Sequence, residues 1–152
     1  MTVFCAQSEL KFLDETEYVI CDGTFEMSPT SAYQLYILHG LVNDEGMALL
    51  WALLPGKNTD TYNEMFSALR QALENSLGDV RKPKTFLVDF EQAAIQSIRS
   101  VFPEARVKGC SFHFIYRQAI MRKIQNIGLK NVYDNGDDYP QVKRYGCGGY
   151  CP

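Results

Sequence analysis

The chain is poor in several things, and each shortage narrows what it can be. It has a single tryptophan, Trp51, and no apolar run near the roughly 20 residues that a membrane-crossing helix requires. Its opening stretch, MTVFCAQSELKF, lacks a basic segment followed by a long apolar one, so no secretory leader is expected. No Asn-x-Ser/Thr glycosylation acceptor occurs. There is no glycine-rich phosphate loop and no dinucleotide fingerprint, which leaves ATP- and NAD-dependent chemistry without support. Internal repeats and low-complexity tracts are missing as well. The cysteines, Cys5, Cys21, Cys110, Cys147 and Cys151, are odd in number and irregular in spacing, a poor disulfide framework. In a reducing compartment they are thiols or metal ligands. Together these absences lead us to expect an intracellular protein with no membrane partner.

Positive charge is also scarce, but only in the first half. Residues 1–80 hold 3 Lys/Arg against 12 Asp/Glu, a net of −9. Residues 81–130 hold 10 Lys/Arg against 3 Asp/Glu, a net of +7. A basic second half can attract a polyanion although the whole chain is acidic. Ordinary surface charge that balances on folding is the simpler alternative. Arg106, Lys108, Arg117, Arg122, Lys123 and Lys130 lie in and just after the last strand and helix expected below, where they are candidates for phosphate contacts with DNA.

What is present is a clear change of period. QSELKFL reads as a short leading helix. YVICD (17–22), YQLYILHGLV (33–42) and MALLWALLP (47–55) read as three strands, with links short enough for antiparallel pairing. Tyr62, Met65, Phe66, Leu69, Leu73 and Leu77 then recur at helical steps, with Thr61 and Glu64 at capping-box spacing and Gly78 as the stop. KTFLVD (84–89) is a strand, FEQAAIQSIRSVF a helix closed by Pro103, ARVKGC (105–110) a strand, and 111–127 a second amphipathic helix. A three-strand antiparallel meander followed by two βα units implies an α/β domain with a mixed five-stranded sheet flanked by helices. Right-handed crossovers set the fourth and fifth strands parallel to the first. We expect one core domain over residues 1–130 and an irregular divergent tail over 131–152.

Two aspartates stand where strand-like runs stop: Asp22 in YVICDGTF and Asp89 in TFLVDFE. If the first and fourth strands are neighbours, both carboxylates emerge at one sheet edge. Carboxylates that close repel each other, and a divalent cation reverses that cost. Mg2+ or Mn2+ suits all-oxygen ligation and phosphate chemistry. Asp22-Gly23 equally suits a tight turn, and Asp89 a helix cap, so spacing alone leaves both readings open. Glu91 and Glu26 lie close by, with solvent-facing or helix-dipole roles the ordinary reading. Cys110 and His113 form a C-x-x-H pair at a strand-to-helix junction, suited either to Zn2+ or to structural roles. Cys147 and Cys151 are the further thiols such a zinc site would need. His39 falls on a strand, where a packing or cross-strand role is the default.

The combination CDGTF (21–25), ALLPGKNTDTY (52–62), TFLVDFEQAAIQSI (85–98) and VFPEARVKGCSFHFIYRQAIMRKIQNIGL (101–129) resembles the Mutator-like element (MULE) transposase domain, collinearly over residues 8–130. The resemblance implies a ribonuclease-H-like fold and an Asp-Asp-Glu site that uses a divalent metal for DNA cleavage and transfer. It maps Asp22 and Asp89 onto the first two acids, and Cys110 and His113 onto the family's C-x-x-H. The third acid comes later in the family, and none of Asp134, Asp137 or Asp138 is assigned to it. The core is therefore expected to be incomplete. DNA is the implied partner, with a homo-oligomer or another transposase subunit as a further one, and the nucleus the implied location in a eukaryotic host. A noncatalytic DNA-binding or protein-interaction module, or a ribonuclease-H-type nuclease, are the alternatives.

Overall fold

A computed structural model describes residues 1–24, 27–42, 45–78 and 84–128. The backbone forms two units, Met1–Cys110 and Ser111–Pro152. The first carries β1 (Thr2–Phe4), α1 (Gln7–Glu15), β2 (Tyr18–Thr24), β3 (Gln34–Val42), β4 (Glu45–Leu54), α2 (Thr59–Leu77), β5 (Thr85–Val88), α3 (Gln92–Val101) and β6 (Arg106–Gly109). The second carries α4 (Ser111–Asn126).

The sheet is mixed, in the order β1-β4-β3-β2-β5-β6. The β2–β3–β4 meander is antiparallel, whereas β2, β5 and β6 run parallel. The expected five strands are all present, and β1 is a sixth. It pairs antiparallel with β4 through Thr2–Leu53, Val3–Ala52 and Phe4–Trp51. Three residues are too few to show a period, and the pairing that orders them lies about fifty residues away, so the sequence alone gives no signal for this strand.

Alternation along the strands sorts the sheet into two faces. Val19, Cys21, Tyr36, Leu38, Phe86 and Val88 are all buried and share one face. Against them α2 presents Tyr62, Met65, Phe66, Leu69 and Leu73, each at a step of three or four. From α3 come Ala94 and Ile98, followed by Phe102. The aromatic rings interlock: Tyr36–Tyr62 at 5.1 Å between centroids, Phe66–Phe86 at 6.1 Å and Phe86–Phe102 at 5.4 Å. Such pairs add about 0.5–1.5 kcal/mol each beyond area burial.

Two local expectations change. Asp22-Gly23 is not a turn, because β2 runs on through Thr24. Glycine is needed there for closeness rather than for bending: a Cβ would lie 3.1 Å from Gln34 Oε1 and 3.2 Å from Tyr36 Cδ2. The N-cap of α2 is Asn58, whose side chain accepts from the Thr61 N–H at 2.9 Å, so Thr61 sits inside the first turn and not before it. Gly78, at φ 80°, ends that helix as expected.

Cationic side chains tie down two helix ends. The buried Lys84 Nζ donates to the carbonyls of Asp14 at 2.8 Å and Thr16 at 3.2 Å, at the C-terminus of α1. Arg70 donates to the Val101 carbonyl at the end of α3, and its guanidinium lies 5.5 Å from the Phe102 ring centre. Both meet the negative end of a helix dipole.

Candidate active site

The register of the parallel strands builds the site. Cys21 pairs with Val88, and Val88 with Gly109. One step further along each strand stand Asp22, Asp89 and Cys110, and the Cys110 N–H donates to the Val88 carbonyl at 2.8 Å, which keeps that step in register. Neighbouring strands run about 4.8 Å apart, so the two aspartates occupy adjacent places at the carboxyl ends of β2 and β5. By alternation Asp22 lies on the face opposite the buried aromatics, in line with Ile20, while Asp89 follows directly on β5. Asp22 and Asp89 are both half-buried.

The Cys21 thiol is raised well above its ordinary range, first by burial and then by the charges of both Asp89 and Asp22, with the Tyr36 hydroxyl pulling the other way. The all-oxygen chemistry of the two carboxylates suits a hard cation that keeps several waters and binds through one or two protein carboxylates plus substrate phosphates. Among the described residues, no group of three His, Cys, Asp or Glu side chains is arranged to hold a metal ion.

Glu91 takes a role that the sequence does not announce. It is the N-cap residue of α3, yet its side chain makes no capping bond. Instead its Oε2 accepts from the Tyr62 hydroxyl at 2.9 Å, and that hydroxyl accepts from Gln34 Nε2 at 2.7 Å. Burial raises the Glu91 carboxyl above the ordinary range against the Tyr62 hydrogen bond, the Asp89 charge adds to the rise, and Lys57 opposes it. Tyr62 reads in the sequence as one more residue of an apolar stripe. The available signal was chemical: a tyrosine placed deep in a core needs a partner for its hydroxyl.

The remaining candidates are spread more widely. Arg106 and Lys108 are exposed on β6, the edge strand beside the acid-bearing β5, paired with Thr85 and Leu87. Arg122, Lys123 and Ile115 are exposed on α4, and Ile127 is exposed just after it. The Arg117 side chain, Lys130, Glu26, Cys147, Cys151 and the tail acids lie outside what is described. Cys110 closes the first unit and His113 begins the second, each half-buried. His39 sits half-buried on β3, paired with Ile20 and Ala48, in the cross-strand setting expected of it. No helix among the described residues is long and apolar enough to cross a membrane.

Compared with protein-family models, the chain matches the MULE transposase domain over residues 18–117, a span that holds both aspartates, Glu91 and the C-x-x-H pair. Searches of curated proteins and of solved structures returned no match.

Proposed function

We propose a function from one premise: the chain belongs to the MULE transposase domain family. Its role is transposase-derived, and the sheet order is read as a ribonuclease-H-like core with one added edge strand. Within it, Asp22 and Asp89 are the first two acids of a site for metal-dependent DNA strand cleavage and transfer. The observation that supports this reading is the parallel register of β2 and β5, which pairs Cys21 with Val88, the residues immediately before Asp22 and Asp89.

Asp22 and Asp89 would hold a divalent cation, Mg2+ or Mn2+, which supplies a Lewis acid for the attacking and leaving oxygens of a phosphodiester. The protein's own part is placement. The β2–β5 ladder, which runs through Cys21 and Val88, would hold the backbone just before the two carboxylates, limiting reorganisation as charge develops. Arg106 and Lys108, on the same face by alternation, would engage DNA phosphates and set the strand's approach. Arg117, Arg122, Lys123 and Lys130, in the second unit, are proposed as phosphate contacts in their own right, and DNA is the proposed partner. A second reading, a noncatalytic DNA-binding module, draws on the lack of a third clustered acid among the described residues.

The test is Mg2+-dependent cleavage of duplexes carrying the sequences that flank the gene, alongside unrelated duplexes. Cleavage that vanishes in both Asp22→Asn and Asp89→Asn supports the catalytic reading. Salt-sensitive binding without cleavage supports the module. Full cleavage in either variant contradicts the assignment.

A further inference from the structure

We infer that Tyr62 is a positioning residue for Asp89, acting through Glu91, so that a hydroxyl buried in the core sets the strength of cation binding at the sheet edge. The inference rests on the proposed role of Asp22 and Asp89 as cation ligands.

Asp89 stands just beyond the end of a strand. It lies in a three-residue junction, 89–91, between the end of β5 at Val88 and the start of α3 at Gln92. The β5 ladder stops before it. Two of its hydrogen bonds tie Glu91 to both sides. The Glu91 N–H donates to the Asp89 carbonyl at 2.7 Å, which makes the turn tight. The Glu91 carboxylate accepts from Tyr62 at 2.9 Å, which fixes that turn to α2. Tyr62 is fully buried and is itself fixed to β3 by Gln34, which is 1% exposed. Three separate elements therefore converge on the peptide that carries Asp89.

Packing alone does not call for this arrangement. A phenylalanine at position 62 would keep the 5.1 Å edge contact with Tyr36 and the stacking on Phe66. The hydroxyl adds two directional bonds, one accepted from Gln34 Nε2 and one donated to the carboxylate two residues after Asp89. Side chains that hold a metal-ligating group from behind commonly change metal affinity by about 10–100-fold when removed.

The experiment titrates Mn2+ into the full chain and follows binding by water-proton relaxation, which needs no turnover. Tyr62→Phe removes the bond and keeps the Glu91 charge. Glu91→Gln keeps an acceptor for Tyr62 and removes the charge. Ser97→Ala removes a different tie between the same two helices, the 3.0 Å bond from Ser97 Oγ to the Thr59 carbonyl, and does not involve the junction. We expect Tyr62→Phe to weaken Mn2+ binding by about tenfold, with Glu91→Gln and Ser97→Ala close to the parent. An unchanged Tyr62→Phe overturns the inference. So does a loss confined to Glu91→Gln, which would mean long-range charge, or an equal loss in Ser97→Ala, which would mean general loosening. Asp22→Asn and Asp89→Asn separate the two levels of the proposal. If neither weakens binding, the site reading itself fails and takes the strut with it; if both do while Tyr62→Phe does not, the strut alone fails.

Discussion

The two faces of the sheet differ by one step along each strand and do different work. On the helix-covered face Cys21, Tyr36, Phe86 and Val88 are buried to 1% exposure or less. On the other, Ile20, Asp22, Ile37 and Leu87 are half-buried. Cys21 and Asp22 are neighbours in sequence, as are Val88 and Asp89, yet one of each pair closes the core and the other is only half-buried. A strand delivers this contrast at no extra length, because its side chains alternate. The same alternation ties the two faces together: a slip of one residue in β2 would bury the carboxylate and expose the thiol. The core thus sets the register on which the acid pair depends.

That contrast can be broken by substitution, and the expected effects fall in order. Phe66→Ala should cost the most, about 3–5 kcal/mol of unfolding free energy in a urea titration, because it removes a ring that touches Tyr36, Tyr62, Phe86 and Phe102. A loss under about 1 kcal/mol would mean that the aromatic cluster is not the centre of the core. Next comes Lys84→Met, which strips two carbonyls of a charged donor at the end of α1. Hydrogen bonds to charged groups suggest a loss of about 1.5–3 kcal/mol, with amide exchange rising first at the C-terminus of α1. Uniform exchange across the sheet would contradict that local role. Least affected should be Asp22→Asn, within about 0.5 kcal/mol of the parent or slightly more stable, since it relieves repulsion with Asp89. A large destabilisation there would make Asp22 a structural residue and erase the division of labour between the faces.

Much of the architecture could be read beforehand. Short links between β2, β3 and β4 forced antiparallel pairing, and the change to a period of three and four fixed α2 and α3. Asp22 and Asp89 could be singled out because apolar strand-like runs stop at them in the sequence, although β2 itself continues through Thr24. Three features were hidden, and each depends on a distant partner. β1 is ordered by β4. Gly23 answers to Tyr36 and Gln34 across the strand rather than to a turn. Tyr62 looks apolar by spacing, although its hydroxyl links Gln34 to Glu91. Local pattern reports faces and ends; it does not report which residues from separate elements meet.

The most direct measurement is the anomalous scattering of manganese in crystals of the full chain grown with MnCl2. The account predicts a peak within about 2.0–2.3 Å of one carboxylate oxygen from Asp22 and one from Asp89, lost in crystals of Asp89→Asn. Ordered manganese bound elsewhere, with Asp22 and Asp89 turned away from each other, would contradict it.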